Sequence, residues 1–244
     1  MNSKKLIKIL RSLGDPVIAE QSQRYFKTGK GEYGEGDRFL GIRVPVLRAE
    51  VKKHPSVPLH EIQQLLTSLF HEIRLFALLL LVREFSKSSD EEKTAIYKLY
   101  LSNTQYINNW DLVDSSAHRI IGAYLEDKDK KILYKLAKSD NLWERRIAIL
   151  SCFHFIGNNQ FKDALKLATL LMNDKADLMH KAIGWMLREI GKRDLATEEA
   201  FLLKHHSNMP RTMLRYAIER FPERKRKDYM KIMRPDSNGT YLRL

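Results

Sequence analysis

A single cysteine, Cys152, occurs in 244 residues, so the chain can build neither a disulfide framework nor a cysteine-rich zinc site. Long apolar runs are missing as well. The longest, Leu75 to Val82, falls far short of the ~20 residues a membrane span needs. The N-terminal stretch MNSKKLIKILRSLGD has charges through its short apolar part and no small-residue cleavage site, so it reads as a helix and not as a signal peptide. These absences make a cytoplasmic protein without a membrane partner the simplest expectation. Acids are the minority charge: 43 Lys+Arg face 30 Asp+Glu, a net charge of +13. Such a surplus favours polyanion partners, above all nucleic acid, although many basic proteins bind nothing acidic.

What is present is helical. An apolar content of 43% rules out disorder, and the length suits one large domain or two small ones at roughly 100–200 residues each. The 7 prolines and 11 glycines sit between periodic segments. Asp15-Pro16 looks like an N-cap followed by proline in the first turn, with a helix running on through 17–27. Leu59, Ile62, Leu65, Leu66 and Leu69 keep helical spacing, as do Leu75, Leu78, Leu79 and Val82. Ser89 followed by Asp90, Glu91 and Glu92 starts another helix. Further helices are expected over 108–125, 131–138, 142–156, 160–172, 178–190, 197–205 and 211–221, with no alternating strand pattern. Short connections, about 2–6 residues, imply antiparallel neighbouring helices.

Residues 28–41 break the pattern with five glycines, TGKGEYGEGDRFLG. This is not a phosphate loop, because no Gly-Lys-Ser/Thr follows and no strand precedes it. Glu32, Glu35 and Asp37 would disfavour phosphate contact. A loop between two helices is expected.

A weak repeat runs through the chain. Glu72-Ile73-Arg74 precedes an apolar helix, as do Glu144-Arg145-Arg146 and His180-Lys181, and Arg211 opens another. Arg74 to Arg146 is two steps of about 36 residues, with later steps of about 35 and 30. Asn109-Trp110-Asp111 occupies the missing rung. Repeats of this length stack into an α-solenoid. The expected fold is therefore all-α, a superhelix of helical-hairpin repeats. One domain over 1–244 is expected, with the glycine-rich loop at 28–41 and a short tail at 234–244. Recurrence of a basic residue predicts a ladder of cations, Arg74, Arg146, Lys181 and Arg211, on the concave face, able to track a nucleic-acid backbone. Surface cations scattered over helices are the plainer alternative.

Trp110 and Asp114 are four residues apart and share a helix face. Trp143 and Arg146 open a later helix, and Trp185 and Arg188 lie in another. Singly, each has a structural explanation; together they put a carboxylate and aromatics on a basic scaffold. Asp111, Asp114 and His118 have spacing that could offer metal ligands, but no second ligand helix is evident and no metal or cofactor is expected. Adjacent His205 and His206 diverge on a helix.

The stretches NWDLVDS (109–115), DNLWERRIAIL (140–150) and KAIGWMLRE (181–189) closely resemble the AlkD-type DNA alkylation-repair glycosylases, and FLGIRVP (39–45) resembles that family's N-terminal motif. The resemblance extends over nearly the whole chain, except the loop from Gly29 to Asp37. It implies an all-helical, HEAT-like fold and a monofunctional glycosylase releasing cationic 3-methyladenine and 7-methylguanine types from double-stranded DNA. It implies Asp114 as the catalytic carboxylate, Trp110 and Trp185 as aromatic walls, and Arg146 at DNA near the lesion. Tyr25 and Arg43 match positions that touch DNA; Arg188 accompanies Trp185, and a monomer is expected. The chemistry is self-consistent. A purine alkylated at N3 or N7 is already a good leaving group, so no general acid is needed. One carboxylate can stabilise the oxocarbenium-like sugar and place a water. The alternatives are a non-enzymatic HEAT-repeat protein binding damaged or branched DNA, and a protein-binding scaffold.

Overall fold

A computed structural model describes residues 1–231; the tail at 234–244 lies outside the described residues. The fold is all-α. Among the described residues the only strand-like feature is an isolated bridge between Arg38 and Phe70, and no helix is long and apolar enough to cross a membrane. The described residues form two compact units that divide between Tyr124 and Leu125.

The first unit contains α1 (Ser3–Ser12), α2 (Pro16–Tyr25), α3 (Val44–Lys53), α4 (Leu59–Leu66), α5 (His71–Phe85), α6 (Asp90–Leu101) and α7 (Trp110–Ala117). Its centre is α5, which packs against α3, α4, α6 and α7. Sequence dictates this. Residues Leu75 to Leu78, Leu80 and Leu81 are all buried, and a helix apolar on every side has no solvent face to offer. Each buried Leu or Phe contributes about 1.5–3 kcal/mol of transfer free energy. Helix starts follow the expected chemistry. The Asp15 carboxylate accepts from the backbone N–H of Val17 and Ile18, with Pro16 in the first turn, and Ser89 and Glu92 form a reciprocal capping box. The helix expected over 108–125 passes through a π-helical turn at His118–Gly122 and continues at 123–124.

The second unit contains α8 (Lys131–Leu136), α9 (Leu142–Gly157), α10 (Lys162–Leu170), α11 (Asp177–Gly191), α12 (Leu195–His205), α13 (Arg211–Ala217) and α14 (Glu223–Lys231). Here α11 is central, packed against α9, α10, α12 and α13.

The repeat is visible in the hairpin turns, one residue out of the register expected from spacing. Ser68, Ser139 and Asp174 each accept, through the side chain, the N–H two residues on, at 3.1, 3.1 and 2.9 Å. The carbonyl of each is then bonded by the side chain six residues on: Arg74 at 2.9 Å, Arg145 at 2.9 Å and His180 at 2.6 Å. These side chains reach back and fasten the turn that precedes their own helix. The recurring side chain is thus a clasp for hairpins, not a rung exposed along a face.

The glycine-rich loop is ordered by its own acids. Glu32 accepts from the N–H of Gly29 and Glu35 from that of Gly31, both at 2.9 Å. Its end is held by Glu72, whose carboxylate takes the N–H groups of Leu40, Gly41 and Ile42 at 2.8, 2.8 and 3.2 Å. Gly41 has φ +81°, and a Cβ there would lie 1.9 Å from the Asp15 carbonyl, so both conformation and space require glycine.

Candidate active site

Helix α7 is capped by Asn109, whose side chain accepts from the Trp110 N–H at 2.8 Å. Trp110 and Asp114, one turn apart, both line a mainly apolar cavity of about 660 Å³ in the first unit. Leu75 and Leu79 of α5 and Phe26 form apolar wall, and Tyr25, Arg43, Arg48 and a second acid, Asp111, also line it. The two arginines are solvent-exposed, and Tyr25 is 66% exposed with its ring edge-on to Trp110 at 5.9 Å. The structure therefore brings together Tyr25, Arg43, Trp110 and Asp114, and adds Arg48, which spacing alone did not single out.

Behind the cavity lies a buried ionic cluster. His71 Nδ1 is 2.8 Å from Asp37 Oδ2, and Nε2 is 2.8 Å from Asp111 Oδ2. Arg74 Nη2 donates to Asp37 Oδ1 at 2.7 Å and to Asn108 Oδ1 at 3.1 Å. Two carboxylates thus face two cations out of water. Burial by itself would push the His71 imidazole down, but Asp111 and then Asp37 outweigh it and raise its pKa to about 9. Burial likewise opposes ionisation of Asp37, yet His71 and Arg74 hold its carboxyl below the usual range. Aromatic rings bridge cluster and cavity. Phe39 stacks on His71 at 4.6 Å, Phe26 on Phe39 at 5.0 Å, and Phe26 on Trp110 at 5.2 Å.

Arg74 is thereby relocated. It is 4% exposed and its terminal nitrogens are held by Asp37, Asn108 and Ser68, so it cannot reach a phosphate as the ladder required. Asp111, a candidate metal ligand by its spacing, is committed to His71, and among the described residues no three His, Cys, Asp or Glu side chains gather as a metal site would need.

Comparison with known proteins places the chain. The family described as DNA alkylation repair enzyme matches residues 6–221. The chain belongs to this family. No match was found among curated proteins. Among solved structures, a predicted DNA alkylation repair enzyme from Enterococcus faecalis is similar, with TM-score 0.66, 18% identity, and coverage of 86% of this chain and 97% of that one. AlkD2 from Streptococcus mutans is similar with TM-score 0.52, 17% identity, and coverage of 84% and 97%. At these identities the structures establish the shared helical-repeat fold.

The remaining residues singled out by the family's motifs lie in the second unit. Trp185, on α11, donates Nε1–H to Glu189 at 3.1 Å and packs its ring 5.6 Å from Phe153. Arg146 is 4% exposed and donates to the Leu178 carbonyl at 2.6 Å; like Arg74, it serves a backbone carbonyl and is not an outward rung. Arg188 is ion-paired with Glu219. Lys181 pairs with Asp177 at 2.8 Å and is half-exposed, and exposed Arg211 donates to the Met230 carbonyl at 2.8 Å.

Residues that sequence reading missed are Asp37, His71, Phe26 and Phe39. Only one signal pointed to them: a histidine and a glutamate side by side at the start of the most apolar helix, where two charges need nearby partners.

Proposed function

We propose that the protein is a monofunctional DNA glycosylase that hydrolyses the N-glycosidic bond of cationic alkylated purines, of 3-methyladenine and 7-methylguanine type, in duplex DNA. The observation that carries this reading is the pairing of Trp110 and Asp114 in one apolar cavity. Low-dielectric walls strengthen a carboxylate's field on developing positive charge. Asp114 stabilises the oxocarbenium-like sugar and places the attacking water. The Trp110 face holds the cationic base, a contact worth roughly 0.5–2 kcal/mol, and Trp185 of the second unit, an aromatic of the family's motif, serves base release. Tyr25, Arg43, Lys181, Arg188 and Arg211 contact the DNA. The protein acts as a monomer, in the cytoplasm at the nucleoid, and needs no cofactor.

The test is incubation with methylated duplex DNA and chromatography of the supernatant. Release of free 3-methyladenine or 7-methylguanine supports the reading. Tight binding without release sinks it and leaves the non-enzymatic DNA binder.

A further inference from the structure

The buried cluster beneath α7 has a geometry that decides a protonation state. An imidazole facing carboxylate oxygens at 2.8 Å from both ring nitrogens satisfies both only as a double donor, because neutral imidazole has one N–H and one lone pair. His71 is 1% exposed, so water cannot replace a lost bond. Everything at the start of α7 hangs on this arrangement. Asp111 is gripped by His71, Asn108 accepts from Arg74, and Asn109 Nδ2 approaches Asp37 Oδ2 at 3.4 Å. The same ring supports Trp110 through Phe39 and Phe26, with Phe26 also 4.9 Å from the imidazole.

We propose that His71, clamped between Asp37 of the glycine-rich loop and Asp111 of α7, is the positioning residue of the site, and that base release fails when its ring loses a proton. This rests on the glycosylase reading above. On deprotonation, one ring nitrogen would present a lone pair to a buried carboxylate. Either Asp37 or Asp111 must then turn away, and the first turn of α7, with Trp110 and Asp114, shifts with it. The charged groups facing the ring are Asp37 from the loop and Asp111 from α7. On α5 itself, Glu72 is committed to the N–H groups of residues 40–42 and Arg74 to Asp37. Asp114 lies a turn beyond Asp111. With the pKa of His71 raised to about 9 by these carboxylates, the clasp stays closed through neutral pH and opens above it. The glycine-rich loop thereby gains a role in the site, since its glycines let it fold tightly enough to deliver Asp37 to the imidazole.

Two measurements on the full chain test this. In ¹⁵N-histidine-labelled wild-type protein, NMR should find one imidazole with both nitrogens protonated at pH 7, neutralising near pH 9. In single-turnover release of 3-methyladenine from methylated duplex, the alkaline limb should fall at the same pH. Asp37→Asn removes one carboxylate and should bring that limb down by about one to two pH units. Release at pH 9 then drops roughly five- to fiftyfold relative to wild type, with DNA affinity at pH 7 retained. A neutral His71 at pH 7, or a limb that Asp37→Asn leaves in place, overturns the proposal. The NMR titration decides it even if the variant does not fold. A wild-type protein that releases no base at pH 7 defeats the glycosylase reading instead, so the two failures are distinct.

Discussion

Replacing Arg74 with Ala separates a buried clasp from a DNA-tracking cation, because the two roles predict opposite results. In the structure its guanidinium bonds Asp37 at 2.7 Å, the Ser68 carbonyl at 2.9 Å and Asn108 at 3.1 Å. Removing it leaves two carboxylates facing one imidazolium in the interior. Breaking a buried pair by deleting one partner costs about 3–5 kcal/mol. At about 2–4 °C per kcal/mol for a chain of this size, the melting temperature should fall by roughly 6–20 °C. Calorimetry reads that change, and DNA anisotropy across a salt series reads the other. With about five phosphates neutralised, wild-type log affinity should fall against log salt with a slope of roughly −4 to −5; Arg74→Ala measured below its melting point should keep that slope. Arg211→Ala is the comparator. That side chain is exposed, so stability should change by no more than ~1 kcal/mol, while the slope shrinks by about one. An Arg74→Ala protein that melts like wild type and loses a unit of salt slope would restore Arg74 to the surface ladder and refute the buried-clasp reasoning.

Asp114→Asn should preserve shape and DNA affinity and lower single-turnover base release by ~10²–10³; full activity would remove Asp114 from the mechanism. Glu198, buried beside Gly191 and Glu199, has its carboxyl raised from 4.5 to about 8, chiefly by burial and then by Glu199. The folded state keeps a proton that the unfolded state gives up, so stability should decline as pH rises from 4.5 through about 8, and denaturant titrations should show Glu198→Gln flattening that decline. In Gly184→Ala a Cβ would sit 2.4 Å from the Met213 carbonyl oxygen where α11 meets α13. Overpacking there should cost about 1–3 kcal/mol; a melting temperature equal to wild type would show that the helices can part without cost. Borohydride should trap no protein–DNA adduct, since no lysine is assigned as a Schiff-base nucleophile.

Most helices were legible because apolar spacing and caps act locally. Asp15-Pro16 starts α2 and Ser89 with Glu92 starts α6, as their sequences suggested. The π-helical turn at His118–Gly122 left no mark in the spacing. The repeat was legible in period but not in register. Two adjacent arginines, Arg145 and Arg146, look alike in a string; only the turn geometry shows that Arg145 occupies the place of Arg74, bonding the carbonyl six residues back. Trp110 and Asp114 could be paired because one helix turn joins them. Asp37 and His71 could not, since the loop acid reads as solvated and its partner lies 34 residues away. Asp111 read only as a possible metal ligand by its spacing, because its partner His71 lies at a separation of 40. Long-range ionic pairing leaves no periodic trace.

The central claim is that Asp114, beside Trp110 in a mainly apolar cavity, suffices without a general acid because the substrate carries its own positive charge. The most direct measurement uses two duplexes of the same sequence, one with a single 7-methylguanine and one with a single uracil, each incubated with wild-type protein and with Asp114→Asn. Released bases are separated by chromatography and strands are run on a denaturing gel. The account predicts that wild type frees 7-methylguanine and leaves an unbroken strand with an abasic site, that uracil stays in place, and that Asp114→Asn frees little of either. Efficient release of uracil would reveal a general acid in the site and contradict the single-carboxylate mechanism.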